Sequence, residues 1–188
     1  MTALRIALVV QGRFHAFDLA RELSIRGHDV TIFTNYPAWA VRRFGVGRSR
    51  VRSCWAHGAA VRGLEKLPRA LRPRGSDPWV HGTFGRWAAK ALEGTAWDVV
   101  HCWSGVSEEL LRSARVRARC TLLMRGSAHI AEQDAILQEE EARAGLPLER
   151  PSAWMIARER REYDLADRIV VLSSFARASF LRCGVRPE

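Results

Sequence analysis

Arginine, histidine, serine and glycine gather in this chain in four short clusters, each directly after an apolar run. The clusters are Gln11-Gly12-Arg13-Phe14-His15, Trp103-Ser104-Gly105, Arg125-Gly126-Ser127-Ala128-His129 and Ser173-Ser174. A guanidinium forks onto phosphate or carboxylate, so Arg13 and Arg125 are candidate anion ligands; the alternative is a surface ion pair of small energy. His129 follows Gly126-Ser127, where the backbone can approach a ligand and open a helix whose N-terminus favours anions. The alternative for His129 is a capping or core histidine. His101 lies inside an apolar run and reads as a satisfied core residue. Glu159 stands three residues after Ile156 and four before Tyr163, near the inward stripe of a helix. A carboxylate there needs a partner, for which Arg125 is the candidate; otherwise Glu159 edges the stripe and meets water.

Several familiar chemistries lack their motifs. No GxGxxG follows the first apolar run, and Gly45-Val46-Gly47 sits in a basic loop of the wrong context. Walker A, HExxH and GxSxG patterns are missing, and so is DxD, which argues against a metal-bound nucleotide. Cys54-Trp55-Ala56-His57 has ligand-like spacing without a second half, short of the four ligands of a structural zinc site.

The elements that must position these clusters alternate along the chain. Leu4 to Val10 reads as a strand buried on both faces, as in a parallel sheet. A helix follows with Phe14, Phe17, Ala20 and Leu23 on one stripe, stopped by Gly27, and Asp29 to Thr34 is the second strand. Residues 36–76 are broken by turns at Tyr36-Pro37, Pro68, Pro73 and Gly75, with short strands expected near Val51 to Trp55 and Ala59 to Arg62. Pro78 opens a helix to about Leu92, with Asp77 as its cap and Gly82 and Gly85 inside it. Beyond it, strands are expected at Asp98 to Cys102, Cys120 to Met124 and Arg168 to Leu172. Helices are expected at Ser107 to Val116, Ile130 to Ala144, Ser152 to Ala166 and Ser174 to Cys183. The Arg158–Glu162 pair supports its helix at i, i+4. Alternating strands and helices predict an open α/β parallel sheet, whose ligands bind beyond the carboxyl ends of the strands where strand order reverses. All four polar clusters stand at such ends.

Composition bounds the rest. The chain has 188 residues, 47% of them hydrophobic and 27% charged, the balance of one soluble globular domain. No apolar run approaches the roughly 20 residues of a membrane span, and Leu4 to Val10 is too short for a signal-peptide core. Four cysteines without CxxC spacing, in a chain without an export signal, predict reduced thiols in a cytoplasm. The net charge is +10, and residues 39–95 carry +9 of it. That stretch also holds Trp39, Trp55, Trp79 and Trp87, so an anionic membrane, or less readily a nucleic acid, is a candidate partner. The alternative is a solvated basic face with its tryptophans in the core.

Taken together, RIALVV with its polar loop, LARELSIRGHDVTIFT, DVVHCW, RGSAH and REYDLADRIVVLSSFARASFLRCGV resemble the N-terminal domain of a family-4 (group 1) glycosyltransferase of the GT-B fold. The likeness covers nearly the whole chain and is weakest over 36–95, where such enzymes vary with their acceptors. Many members carry a Gly-Gly pair where this chain has Gln11-Gly12-Arg13. The resemblance implies a Rossmann-like sheet with helices on both faces, the N-terminal half of a GT-B fold. It further implies metal-independent transfer, with retention, of a sugar from a nucleotide-sugar donor to a hydroxyl of a glycan or lipid-linked acceptor. His129 would face the transferred sugar. Gly12, Arg13, His15, Trp103, Ser104, Arg125, Gly126, Ser127, Ser173 and Glu159 would form or support the substrate site. Most of the donor contacts would come from a C-terminal domain that this sequence does not contain, supplied in cis or in trans, and the chain alone is expected to be inactive. The competing expectation is a non-catalytic basic α/β module holding membrane, nucleic acid or a partner protein.

Overall fold

The computed structural model describes residues 2–47, 50–67, 71, 73 and 75–186. Alternate residues of the first strand explain the architecture. Within β1 (Arg5–Val10), Ala7 and Val9 enter one apolar cluster while Ile6, Leu8 and Val10 enter another. A strand with both faces buried must be covered on both sides, and helices supply the cover. On one side lie α1 (Ala16–Ile25), with Phe17 and Ala20, and α2 (Ala38–Arg42), with Val41.

The chain continues through β2 (Asp29–Thr34), β3 (Arg50–Ser53), α3 (Trp55–Lys66) and α4 (Asp77–Leu92), then β4 (Ala96–Trp103) and α5 (Glu108–Arg112). It closes with β5 (Arg117–Arg125), α6 (Ile130–Ala144), α7 (Ala153–Leu165), β6 (Arg168–Val171) and α8 (Ser174–Arg182). Phe84, Ala88 and Leu92 of α4, Leu110 of α5, Tyr163 of α7 and Phe180 of α8 build the core on the second face. The six strands are all parallel in the order β3-β2-β1-β4-β5-β6, so strand order reverses between β1 and β4. This is the expected Rossmann-like α/β sheet with helices on both faces.

The differences from expectation are local. Ala59 to Arg62, expected as a strand, lies inside α3. Its Gly58 and Val61 are buried one helical turn apart, and alanines around them favour the helix. Gly58 lets α3 approach β2 closely, because a Cβ there would stand 2.1 Å from the Asn35 carbonyl oxygen. Phe14 is not on the α1 stripe: it precedes the helix, at φ +40°, and is exposed. Ser76, not Asp77, holds the N-cap position of α4. The Asp77 carboxylate instead accepts the Ser152 hydroxyl. The helix expected to reach Val116 ends at Arg112, and β5 begins three residues earlier than Cys120. The turn at Pro68 lies outside the described residues, as do Pro187 and Glu188. Among the described residues no helix is long and apolar enough to cross a membrane.

Candidate functional site

A cleft of about 870 Å³ lies at the carboxyl ends of the strands, around the reversal between β1 and β4. That volume is within the range of about 300–1,000 Å³ typical of small-molecule sites. Of the residues singled out from the sequence, Gly12, His15, Trp103, Ser104, Arg125, Gly126 and Ser127 line it. Gly12 adopts φ +95°, a conformation open to glycine. It donates its N–H to Asn35 Oδ1 at 2.8 Å, and its carbonyl accepts from the Thr34 hydroxyl. The loops after β1 and β2 are thereby tied into one wall.

Two polar atoms of that wall are buried without a hydrogen-bond partner among the described residues, Gln11 Oε1 and His15 Nε2. A third, His81 Nδ1, belongs to α4 on the facing side. Buried polar atoms are ordinarily satisfied, so three orphans beside one cleft set its walls apart from the rest of the fold. Arg125 is held from behind: its Nε lies 3.0 Å from Glu159 Oε2 and its Nη2 donates to Gln133 Oε1 at 2.7 Å. Glu159 is buried and is the partner expected for Arg125. The Tyr163 hydroxyl donates to the same oxygen at 2.6 Å. Burial raises the Glu159 carboxyl, opposed by the Arg125 charge and the hydrogen bonds from Tyr163 and Ser104. The arginine is thus held by two partners on the wall of the cleft.

Four expected site residues stand elsewhere. His129 is only 3% exposed. Its Nδ1 accepts the Ala131 N–H to cap α6, and its ring packs on Tyr163 and Phe180. Burial and the Arg160 and Arg125 charges lower its pKa. His129 therefore takes the capping and core role, and it occupies an N–H of α6 that an anion would have used. Arg13 is exposed and lies 3.9 Å over the Phe44 ring, outside the cleft. Ser173 caps α8 through the Ala176 N–H and borders a smaller groove beside Gly126 and Ser127. Glu159 supports Arg125 without lining the cleft.

His101 is buried, as expected, but not satisfied: its Nε2 has no partner among the described residues, and its ring meets Trp103, which in turn meets His15. Burial, helped by His15, lowers its pKa to about 4. The folded state therefore keeps His101 neutral, while the unfolded chain protonates near 6.5. Stability is lost as pH falls through that interval, by about 1.4 kcal/mol per unit. Between pH 6.5 and 5 the native protein is expected to lose roughly 2 kcal/mol more than His101→Phe, measured by urea unfolding at each pH. Equal pH slopes for the two proteins would refute the assignment.

The sequence did not single out Asn35, Tyr36, Arg62 or His81 of the cleft lining. Asn35-Tyr36 directly follows β2, so the strand-end argument applied to that strand would have found the pair. Arg62 and His81 come from α3 and α4, whose approach to the sheet has no local signature. Also unforeseen is a buried charge cluster behind Ser104. Glu162 is 0% exposed and accepts N–H bonds from Gly105, Ser107 and Glu108, while Arg158 bonds the Gly105 carbonyl and Glu109. Burial pushes the Glu162 carboxyl up to about 7, against the Gly105 and Ser107 N–H groups and the Arg158 charge.

Three of the four tryptophans of the basic stretch are on the surface rather than in the core, with Trp39 and Trp55 each 63% exposed. Trp87 packs on Phe33 and Phe84. Cys54 and His57 flank the start of α3, where His57 Nε2 meets the Val80 carbonyl at 2.9 Å. Among the described residues no three histidine, cysteine or acidic side chains gather as a metal-binding group.

No curated protein matches the chain. A comparison with protein families matches residues 13–188 to Glycosyltransferase Family 4. That span runs from the first polar loop through every later strand and reaches beyond α8. With its parallel sheet and its cleft at the reversal of strand order, the chain belongs to glycosyltransferase family 4, as an N-terminal Rossmann-like domain of that family.

Proposed function

We propose that this domain is the acceptor side of a transferase that moves a sugar from a nucleotide-sugar donor to a hydroxyl held in the cleft between β1 and β4. The observation that carries the reading is the set of orphaned buried atoms, Gln11 Oε1, His15 Nε2 and His81 Nδ1, around a cavity that also receives Arg125. Gln11 Oε1 accepts from a hydroxyl, whereas His15 Nε2 and His81 Nδ1 accept or donate according to tautomer. Arg125, oriented by Glu159 and Gln133, meets the anionic part of the donor or the acceptor. His129 makes no direct contact and keeps the start of α6 in place. Retention of configuration, independence of metal and dependence on a second, donor-binding domain rest on family membership.

Titration calorimetry with a hexose 1-phosphate, a hydroxylated anion that needs only the cleft, tests the role of Arg125. Hydrogen bonds to charged groups contribute about 1.5–3 kcal/mol, so Arg125→Leu is expected to weaken binding by roughly 10- to 100-fold. Arg125→Lys, which keeps the charge and loses the fork, is expected to fall between the two. Affinity that ignores Arg125 and instead collapses with salt would move binding to the basic surface of 39–95 and favour a polyanion-binding module.

A further inference from the structure

Phe14 is held in a conformation that its side chain disfavours. Among the described residues it is the only one other than glycine at positive φ, at +40°. It takes the first central position of a turn that the Ala16 N–H closes on the Arg13 carbonyl at 3.2 Å, with His15 following at φ −90°. A turn with positive and then negative φ favours glycine at that place, and a bulky residue there is strained. The neighbours keep it so. Gly12 is tied to Asn35 and Thr34, and the His15 carbonyl accepts the Leu19 N–H at the head of α1.

Burial does not offset that strain. Phe14 is 65% exposed, and it lines the polar cleft. A Cβ on Gly12 would lie 3.7 Å from Phe14 Cε2, so one edge of the ring rests beside that glycine and the rest stands open. A lone exposed aromatic residue is ordinary on a surface, but a strained one in the wall of a cleft points to something that enters it. Gln11 Oε1 and His15 Nε2, buried without a partner among the described residues, belong to the same loop between β1 and α1. One loop therefore offers an open aromatic face and, with it, atoms that take hydroxyls. A pyranose pairs those surfaces, with C–H groups on a face of the ring and hydroxyls around its edge. An acyclic polyol has the hydroxyls without a fixed apolar face, and a nucleobase has a flat face without hydroxyls.

Resting on the proposed acceptor role of the cleft, we propose that Phe14 selects a pyranoside acceptor. The C–H face of the sugar stacks on its ring while the edge hydroxyls bond Gln11 and His15.

Ligand-observed NMR titrations of the whole chain with methyl β-glucoside, methyl β-galactoside and methyl α-mannoside test the assignment, with glucitol and uridine as controls. In the native protein at least one methyl pyranoside should bind more tightly than glucitol. Phe14→Asn removes the ring and suits positive φ. It should weaken that pyranoside by roughly tenfold, leave glucitol unchanged and melt no lower than the native protein. Phe14→Tyr, which keeps the ring, should retain the affinity. Gln11→Leu, on the cleft wall, should weaken pyranoside and glucitol alike.

Pyranoside binding that Gln11→Leu weakens and Phe14→Asn leaves intact would overturn the platform and keep the cleft as the acceptor site. No binding of any of the three pyranosides, or binding indifferent to both substitutions, would overturn the acceptor role as well. A loss confined to uridine would assign the ring to a nucleobase and refute the inference. So would a Phe14→Asn protein that melts several degrees below Phe14→Tyr, the mark of a ring that serves packing.

Discussion

Glu162→Ala is expected to destabilise the domain by roughly 3–5 kcal/mol, the penalty for breaking a buried ion pair by removing one partner. The carboxylate is fully buried, lies 3.3 Å from Arg158 Nε and accepts the N–H groups of Gly105, Ser107 and Glu108. Its loss strands three backbone donors at the β4–α5 turn, and Arg158, 2% exposed, keeps Gly105, the α5 glutamates and the Trp154 ring. For a chain of this size each kcal/mol lowers the melting temperature by about 2–4 °C, so a fall of about 6–20 °C is expected. Glu139→Gln, at an exposed position of α6, should stay within about 0.5 kcal/mol of the native protein. A Glu162→Ala variant within that same margin would refute the cluster as a structural element. Ser104 lines the cleft directly before Gly105, so the variant should also loosen one wall of the site.

Gly58→Ala is expected to cost roughly 3 kcal/mol, although alanine is the better helix former by about 1 kcal/mol. The opposed signs make this variant decisive. The new Cβ would lie 2.1 Å from a backbone oxygen, so relief requires α3 or the β2–α2 loop to move rather than a side chain to swing. Asn35 also accepts the Gly12 N–H, and displacement of its backbone should reach the first polar loop. Gly63→Ala, five residues along the same helix, meets open space and should be neutral or stabilising. Urea unfolding of the two variants checks the pair. If both are stabilised alike, the close approach of α3 to Asn35 is not a constraint on the fold.

The sequence alone determined the alternation of strands and helices and the parallel sheet, because these rest on local periodicity, and it pointed to the family through the segments that resemble it. Strands repeat every two residues, helices every 3.6, and each element carries its own apolar pattern. It also determined that polar clusters stand at the strand ends, where a cleft forms in this architecture. Tertiary structure decided which of those residues face the cleft. Gly12 takes its conformation with a partner 23 residues away, and His129 turns inward because Ser179, 50 residues on, holds its N–H. Arg13 and Arg125 are the same residue type at equivalent strand ends. One lies over Phe44 in solvent, the other is clamped by Glu159 and Gln133. The Arg158–Glu162 pair was legible as helix spacing, but its burial was not, since charged pairs at i, i+4 ordinarily face water. Only the packing of α5 against α7, 55 residues apart, supplies the N–H groups that hold Glu162 inside the fold. Hydrogen bonds between residues remote in sequence have no periodicity, and they are what turned a set of candidates into one site.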